Sequence, residues 1–168
     1  MTGKTHIACG VLIGTQFAIS NAQNVSQFAA IIGTATFFSI LPDICHAGSK
    51  LGRKIWPIST LIRLIFGHRT VTHSFLFMVL TSVLLYVLQV ERIYIISANL
   101  GILSHLLLDM MTPSGVTLLF PWKRKIRFPF KFKTGGIIDV SLATTFSVVT
   151  MYIIYNEIIN KTISWIKY

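Results

Sequence analysis

The residues able to do metal or acid–base chemistry are few: five histidines, five carboxylates and two cysteines in 168 residues. His105 and Asp109 are four apart, so on a helix they share one face and can ligate one metal ion or two neighbouring ones. Asp43 and His46 are three apart and can do the same at a helix end. His6, His68, His73 and Asp139 complete a set of eight candidate ligands. Imidazole mixed with carboxylate suits Zn²⁺, Mn²⁺ or Fe²⁺ better than Mg²⁺ or Ca²⁺ alone. Eight candidates exceed the three or four protein ligands of a single site, so two or more ions are expected. Such a cluster lowers the pKa of bound water and clamps a phosphoryl oxygen.

Each residue also has a structural reading. His68 can snorkel at a membrane interface, and His105 with Asp109 can form a simple hydrogen-bonded pair. Asp43 can cap a turn after Pro42, and Asp139 can sit on the positive end of a helix dipole. Cys45 reads as an inert small residue. Arg53 and Lys54 read as topology charges, whereas Arg69 is the cation assigned to substrate phosphate.

Five apolar stretches must position these groups: His6–Ser20, Ser26–Leu41, Val71–Val90, Ile93–Met111 and Ile137–Ile159. The third and fifth reach the roughly 20 residues that cross a hydrocarbon core, and the first is short. Composition agrees: 53% of residues are hydrophobic and 12% charged, against about 25% charged in a typical soluble domain. Ile55–Phe66 has helical apolar spacing and is expected to lie in the interface. Within Pro113–Gly136 the patch Val116–Trp122 reads as a re-entrant or interfacial piece. Cys9 and Cys45 support no disulfide framework. Met1–Lys4 is short and no A-x-A-like site follows, so no cleaved signal peptide is expected. No repeat or linker divides residues 1–168, which read as one domain.

The net charge of +10 invites a nucleic-acid reading, but the cations lie between apolar spans. They concentrate in two connections, Ile44–Thr70 and Lys123–Lys133, while Asn21–Val25 is uncharged and Glu91–Arg92 cancels. The positive-inside rule therefore places both basic connections, and the N-terminus, in the cytoplasm and the C-terminus outside. Lys161 and Lys167 oppose only that last placement. On this topology all five histidines, with Asp43, Asp109 and Asp139, fall at the cytoplasmic ends of their spans. Because Lys and Arg alone set the topology, the convergence is an independent observation. Ionisable groups inside membrane segments are costly, and point to a functional site.

At these residues the chain resembles the YdjM-like family of small membrane proteins, described as metal-dependent hydrolases and in part as LexA-regulated inner-membrane proteins. The matching stretches are Thr5-His6, Leu41-Pro42-Asp43-Ile44-Cys45-His46 running on to Ser49-Lys50-Leu51-Gly52-Arg53, Gly67-His68-Arg69 with Thr72-His73-Ser74, and Ser104-His105 through Asp109 to Thr112-Pro113-Ser114-Gly115. That family in turn is similar to zinc-dependent phospholipase C and related single-strand nucleases, all-helical enzymes with a trinuclear zinc cluster. The resemblance implies His6, Asp43, His73, His105 and Asp109 as the principal ligands, with His46 and His68 as further ones. Cys45 stands where the family often has Asp, and Thr70 where it often has Gly. Asp139 takes the place of a Glu often found near the start of the last span.

The expectation is an all-α, polytopic transmembrane helical bundle of about five spans, or four full spans plus one short or re-entrant segment. Its expected activity is hydrolysis of a phosphoester, of a membrane phospholipid or other lipid, by two or three divalent transition metal ions, Zn²⁺ first and Mn²⁺ or Fe²⁺ as alternatives. Asp43 or Asp139 would orient or deprotonate the water, Arg69 would hold a nonbridging oxygen, and Ser74 or Thr72 would support the ligand shell. The expected location is a bacterial-type inner membrane with the site facing the cytoplasm, in contact with anionic lipid headgroups and not nucleic acid. A transporter or ion pathway, or a non-catalytic lipid-binding adaptor, is the alternative.

Overall fold

The computed structural model describes residues 1–45, 71–122 and 124–166. Among the described residues are five α-helices: α1 (Gly3–Asn21), α2 (Val25–Ile40), α3 (Phe75–Val87), α4 (Arg92–Met110) and α5 (Ile137–Ile166). No strand occurs among the described residues, and the one β-type pairing is an isolated bridge between Val116 and Ile126.

Three segments, Val25–Asp43, Arg92–Met110 and Ile137–Ile159, are long and apolar enough to cross a membrane, with the shorter apolar α3 beside them. The chain is thus a helical membrane bundle. The third stretch was expected to be helical over Val71–Val90, but α3 has 13 residues, a rise of only about 20 Å against a core of about 30 Å. Its limits are local. Val71–His73 forms a 3₁₀ turn, Ser74 caps the helix by accepting from Phe77 N at 3.3 Å, and Gln89 turns the chain away with φ +58°. Conversely, α1 starts before His6, and α5 runs seven residues past the expected Ile159 to Ile166. The interfacial helix expected over Ile55–Phe66 lies outside the described residues.

The helices meet through small residues. α1 contacts α2, α4 and α5, and α2 also contacts α4. Gly10 and Gly14 form a GxxxG spacing on α1, and a Cβ at Gly14 would press on Ala35 and Ile32 of α2. A Cβ at Gly101 of α4 would strike the Ala35 carbonyl. Lipid is as apolar as any core, so close backbone approach and interhelical hydrogen bonds do the joining. Ser97 Oγ donates to Ile31 O at 2.8 Å, and Ser39 Oγ donates to His6 O at 3.0 Å. α3 stands apart from this arrangement. It has no buried residue, and its main lateral tie is the Ser82–Asn99 pair, with Asn99 Nδ2 donating to Ser82 Oγ at 2.8 Å. Val79, Leu80, Val83 and Leu84 are exposed on it, as expected of a lipid-facing helix.

The patch Val116–Trp122, expected as a re-entrant or interfacial piece, forms part of a non-helical hairpin across one end of the bundle. Val116 and Ile126 exchange backbone hydrogen bonds of 3.1 and 2.8 Å. Gly115, at φ +62°, makes the turn into it, where a side chain would collide with Arg127. Phe128 N and Phe132 N donate to the carbonyls of Met110 and Met111 at the end of α4, and Phe75 N donates to Leu118 O at the start of α3.

Candidate metal centre

Four side chains from three parts of the chain converge at that end. Pro42 lacks an amide hydrogen and cannot continue an α-helix hydrogen-bond ladder; the chain tightens into the 3₁₀ turn Leu41–Cys45, which carries Asp43. The 3₁₀ turn before α3 carries His73, and the last two turns of α4 carry His105 and Asp109. One ligand atom from each of Asp43, His73, His105 and Asp109 lies within 4.8 Å of all the others.

The distances are those of a cation cage. His73 Nε2 and His105 Nε2 are 3.2 Å apart. Asp109 Oδ2 is 3.5 Å from the first and 3.8 Å from the second, and Asp43 Oδ1 is 3.7 and 3.9 Å from them. Tetrahedral Zn²⁺ with bonds of 2.0–2.1 Å sets its ligands about 3.3 Å apart; the four atoms here all lie within 4.8 Å of one another and would draw together by a fraction of an ångström to over 1 Å to reach that geometry.

The protonation pattern fits too. His105 Nδ1 is 2.8 Å from the carbonyl oxygen of Ser39; a carbonyl only accepts, so Nδ1 carries the proton and Nε2 presents its lone pair. His73 Nδ1 shares a hydrogen bond with Thr72 Oγ1 at 3.0 Å, and with the hydroxyl accepting, its Nε2 does the same. A hydrogen bond at the far ring nitrogen is what fixes the orientation of metal-binding histidines. Two neutral imidazoles and two carboxylates would balance the charge of a divalent ion. The side chains of His73, His105 and Asp109 are fully buried, and Asp43 is 15% exposed, so Asp43 is the member that faces the way in.

His6 flanks the group. Its ring stacks on His105 with centroids 3.9 Å apart, and its Nε2 lies 3.3 Å from Asp109 Oδ1. Among the described residues, neither nitrogen of this fully buried ring has a well-formed hydrogen bond beyond that approach to Asp109, which leaves a ligating atom beside the cage for a cation or its water. Asp109 thus divides its oxygens. Oδ2 faces His73 and His105, while Oδ1 faces His6 and the Met1 nitrogen, 2.5 Å away.

Asp139 is placed elsewhere. It is buried at the start of α5 and accepts hydrogen bonds from Thr2 N at 2.9 Å, Gly135 N at 2.8 Å and the Thr5 hydroxyl. It fastens the first turn of α1, which carries His6, to α5. His46, His68 and Arg69 lie outside the described residues. Of the two hydroxyls assigned to the ligand shell, Thr72 meets a ligand and Ser74 caps α3. The Ser39 carbonyl is a partner that no residue type advertises.

A family model described as YdjM inner membrane protein matches residues 1–166. The chain is 34% identical over 155 residues to the uncharacterized protein YvsG of Bacillus subtilis (strain 168), covering 92% of this chain and 95% of that protein. It is 39% identical over 112 residues to the inner membrane protein YdjM of Escherichia coli (strain K12), covering 63% of this chain and 57% of that protein. The inner membrane protein YdjM of Shigella flexneri matches over the same extent. No solved structure matches the chain.

Proposed function

Because the chain belongs to the YdjM family of inner membrane proteins, we propose that it is a membrane-embedded, metal-dependent hydrolase that cleaves a phosphoester of a membrane lipid at the cytoplasmic headgroup layer. The observation that carries this reading is the cage of Asp43, His73, His105 and Asp109, with His105 Nδ1 donating to the Ser39 carbonyl so that its Nε2 lone pair faces the other three. A divalent ion held there would activate water near neutral pH and polarise a phosphoryl oxygen. Zn²⁺ suits the two nitrogens and two oxygens best, with Mn²⁺ or Fe²⁺ as alternatives. His6, and His46 and His68 beyond the described residues, are the candidates for holding a second or third ion.

The protein's own groups then divide the work. Ser39 O and Thr72 keep the imidazoles oriented, and Asp109 joins the cage to His6. Asp43, at the exposed edge, orients the attacking water and takes its proton. The carboxylate of Asp139 is engaged by Thr2, Thr5 and Gly135, which favours Asp43 for that role. Arg69 would hold a nonbridging phosphate oxygen. His105 lies about 8 Å below the end of α4 by helical rise, a depth that suits a lipid headgroup better than a soluble metabolite. A transport site would be expected nearer the middle of the spans.

The test is incubation of purified, metal-analysed protein with total bacterial lipid extract, followed by mass spectrometry of the products. The reading requires a phosphorus-containing headgroup or inorganic phosphate to be released, with loss of that release on chelation and its return with the metal found. Metal-loaded protein that leaves every lipid intact would overturn it.

A further inference from the structure

The hairpin between α4 and α5 carries a basic surface interleaved with aromatic side chains, none of them a member of the cage. From Pro113 to Ile138 the chain has no Asp or Glu. Arg124, Lys125, Arg127, Lys131 and Lys133 are all exposed. Between and beside them Leu119, Trp122, Phe128 and Phe130 are exposed as well, Trp122 at 68% and Phe130 at 72%. Large aromatic side chains left outside in this way are not covering a core, because Val116 and Thr117 on the same hairpin already fill the buried side. The backbone is not loose. Its bonds to Met110, Met111 and Phe75 hold the hairpin against the ends of α4 and α3, which is where the apolar surface of the bundle stops.

We propose that this hairpin is a headgroup-layer platform for anionic phospholipid. Tryptophan and phenylalanine beside a span end settle at the membrane–water boundary, where one side of the ring is dry and the other wet. Lysine and arginine at the same level attract anionic lipid, an effect confined to about a Debye length of the surface. Five exposed cations with no carboxylate among them, fixed at that level and interleaved with aromatics, meet both conditions together. Nucleic acid shares the phosphate chemistry, but the hairpin is fastened to the ends of membrane helices, where lipid headgroups are the phosphates in reach. The inference stands independently of the hydrolase reading.

The chain has three tryptophans, so Trp56→Phe with Trp165→Phe leaves Trp122 as the only reporter. This full-length protein, in nanodiscs of phosphatidylcholine containing one-third phosphatidylglycerol, is quenched with either lipid brominated in turn. Expected is a quenching efficiency per brominated lipid about threefold or more higher for phosphatidylglycerol, reduced toward parity in Arg124→Gln/Lys125→Gln/Lys131→Gln. The triple variant's helix content by circular dichroism should match the parent, since these side chains are exposed. Equal quenching by both lipids, or a preference that persists in the triple variant, would overturn the proposal. So would no quenching by lipid at all together with Trp122 protection by a single-stranded oligonucleotide.

Discussion

His73 and His105 face one another Nε2 to Nε2 at 3.2 Å, with each Nδ1 already engaged, by Thr72 and by the carbonyl of Ser39. Two imidazole lone pairs at that separation repel unless a proton or a cation lies between them. Two carboxylates on the same centre tip the choice toward a cation, since buried acidic groups without compensating charge are costly.

The first expectation is therefore metal content. Purified protein should retain a divalent transition metal by elemental analysis, and His105→Ala or Asp109→Ala should empty most of it. Acidification should release the metal, because protons compete for the same lone pairs on His and carboxylate ligands. Absence of metal in carefully prepared protein, with no thermal stabilisation by Zn²⁺ or Mn²⁺, would remove the basis of the site.

Thr72 offers a finer test. Thr72→Val keeps the shape but removes the hydroxyl at His73 Nδ1, and should weaken metal affinity by roughly 10–100-fold. Thr72→Ser should restore most of it. Competition with a chromogenic chelator measures both, and a valine variant with unchanged affinity would mean that Thr72 has no part in orienting His73.

Asp43→Asn removes the charge and proton affinity of the exposed ligand while preserving its size. Turnover of lipid phosphoester should fall by roughly 10²-fold or more. Insertion and helix content should persist, because Asp43 lies at a span end. Full activity in Asp43→Asn and His105→Ala alike would locate the chemistry elsewhere.

Packing gives a prediction that does not involve the site's chemistry. A Cβ at Gly101 would meet the Ala35 carbonyl, a backbone atom that cannot swing aside. Gly101→Val should cost about 1–3 kcal/mol of stability, read as a lowered Tm in detergent. Gly33→Val, where a Cβ meets nothing within 4 Å, is the matched control and should leave Tm at or slightly above the parent.

Membrane orientation is checked by labelling single cysteines at Ser49 and Thr134 in a protein lacking Cys9 and Cys45. Both should react with impermeant maleimide only after the cells are opened. Reaction at either position in intact cells would reverse the cytoplasmic assignment.

Much of this candidate centre is legible in the sequence, because residues able to ligate a metal are recognised by type and spacing. His105 and Asp109, four apart on a helix, do lie on one face, and Asp43 after Pro42 does close a span beside them. What spacing cannot disclose is which groups meet across helices. Asp139 resembles its fellow carboxylates in sequence, yet Thr2, Thr5 and Gly135 claim it, through a contact that exists only once α1 and α5 are side by side. The acceptor at His105 Nδ1 is the backbone of Ser39, which any residue could supply. The apolar stretch Val71–Val90 overstates α3 for a related reason. Hydropathy counts Val71, but the hydroxyl of Ser74 starts the helix four residues from the beginning of the stretch.

The poor burial of α3 bears on how the protein is made. α1, α2 and α4 are knit by glycine contacts and buried serine bonds, whereas α3, synthesised between α2 and α4, has no buried residue and is held by the Ser82–Asn99 pair and the tie from Phe75 to Leu118. Leu118 emerges from the ribosome after α4, so the tie that seats α3 cannot form until both helices and the start of the hairpin have been translated. His73 lies two residues before Phe75, in a turn that also packs against the turn carrying Asp43. The four candidate ligands Asp43, His73, His105 and Asp109 have thus all been translated once α4 is complete, while the backbone tie that holds the start of α3 waits for the hairpin.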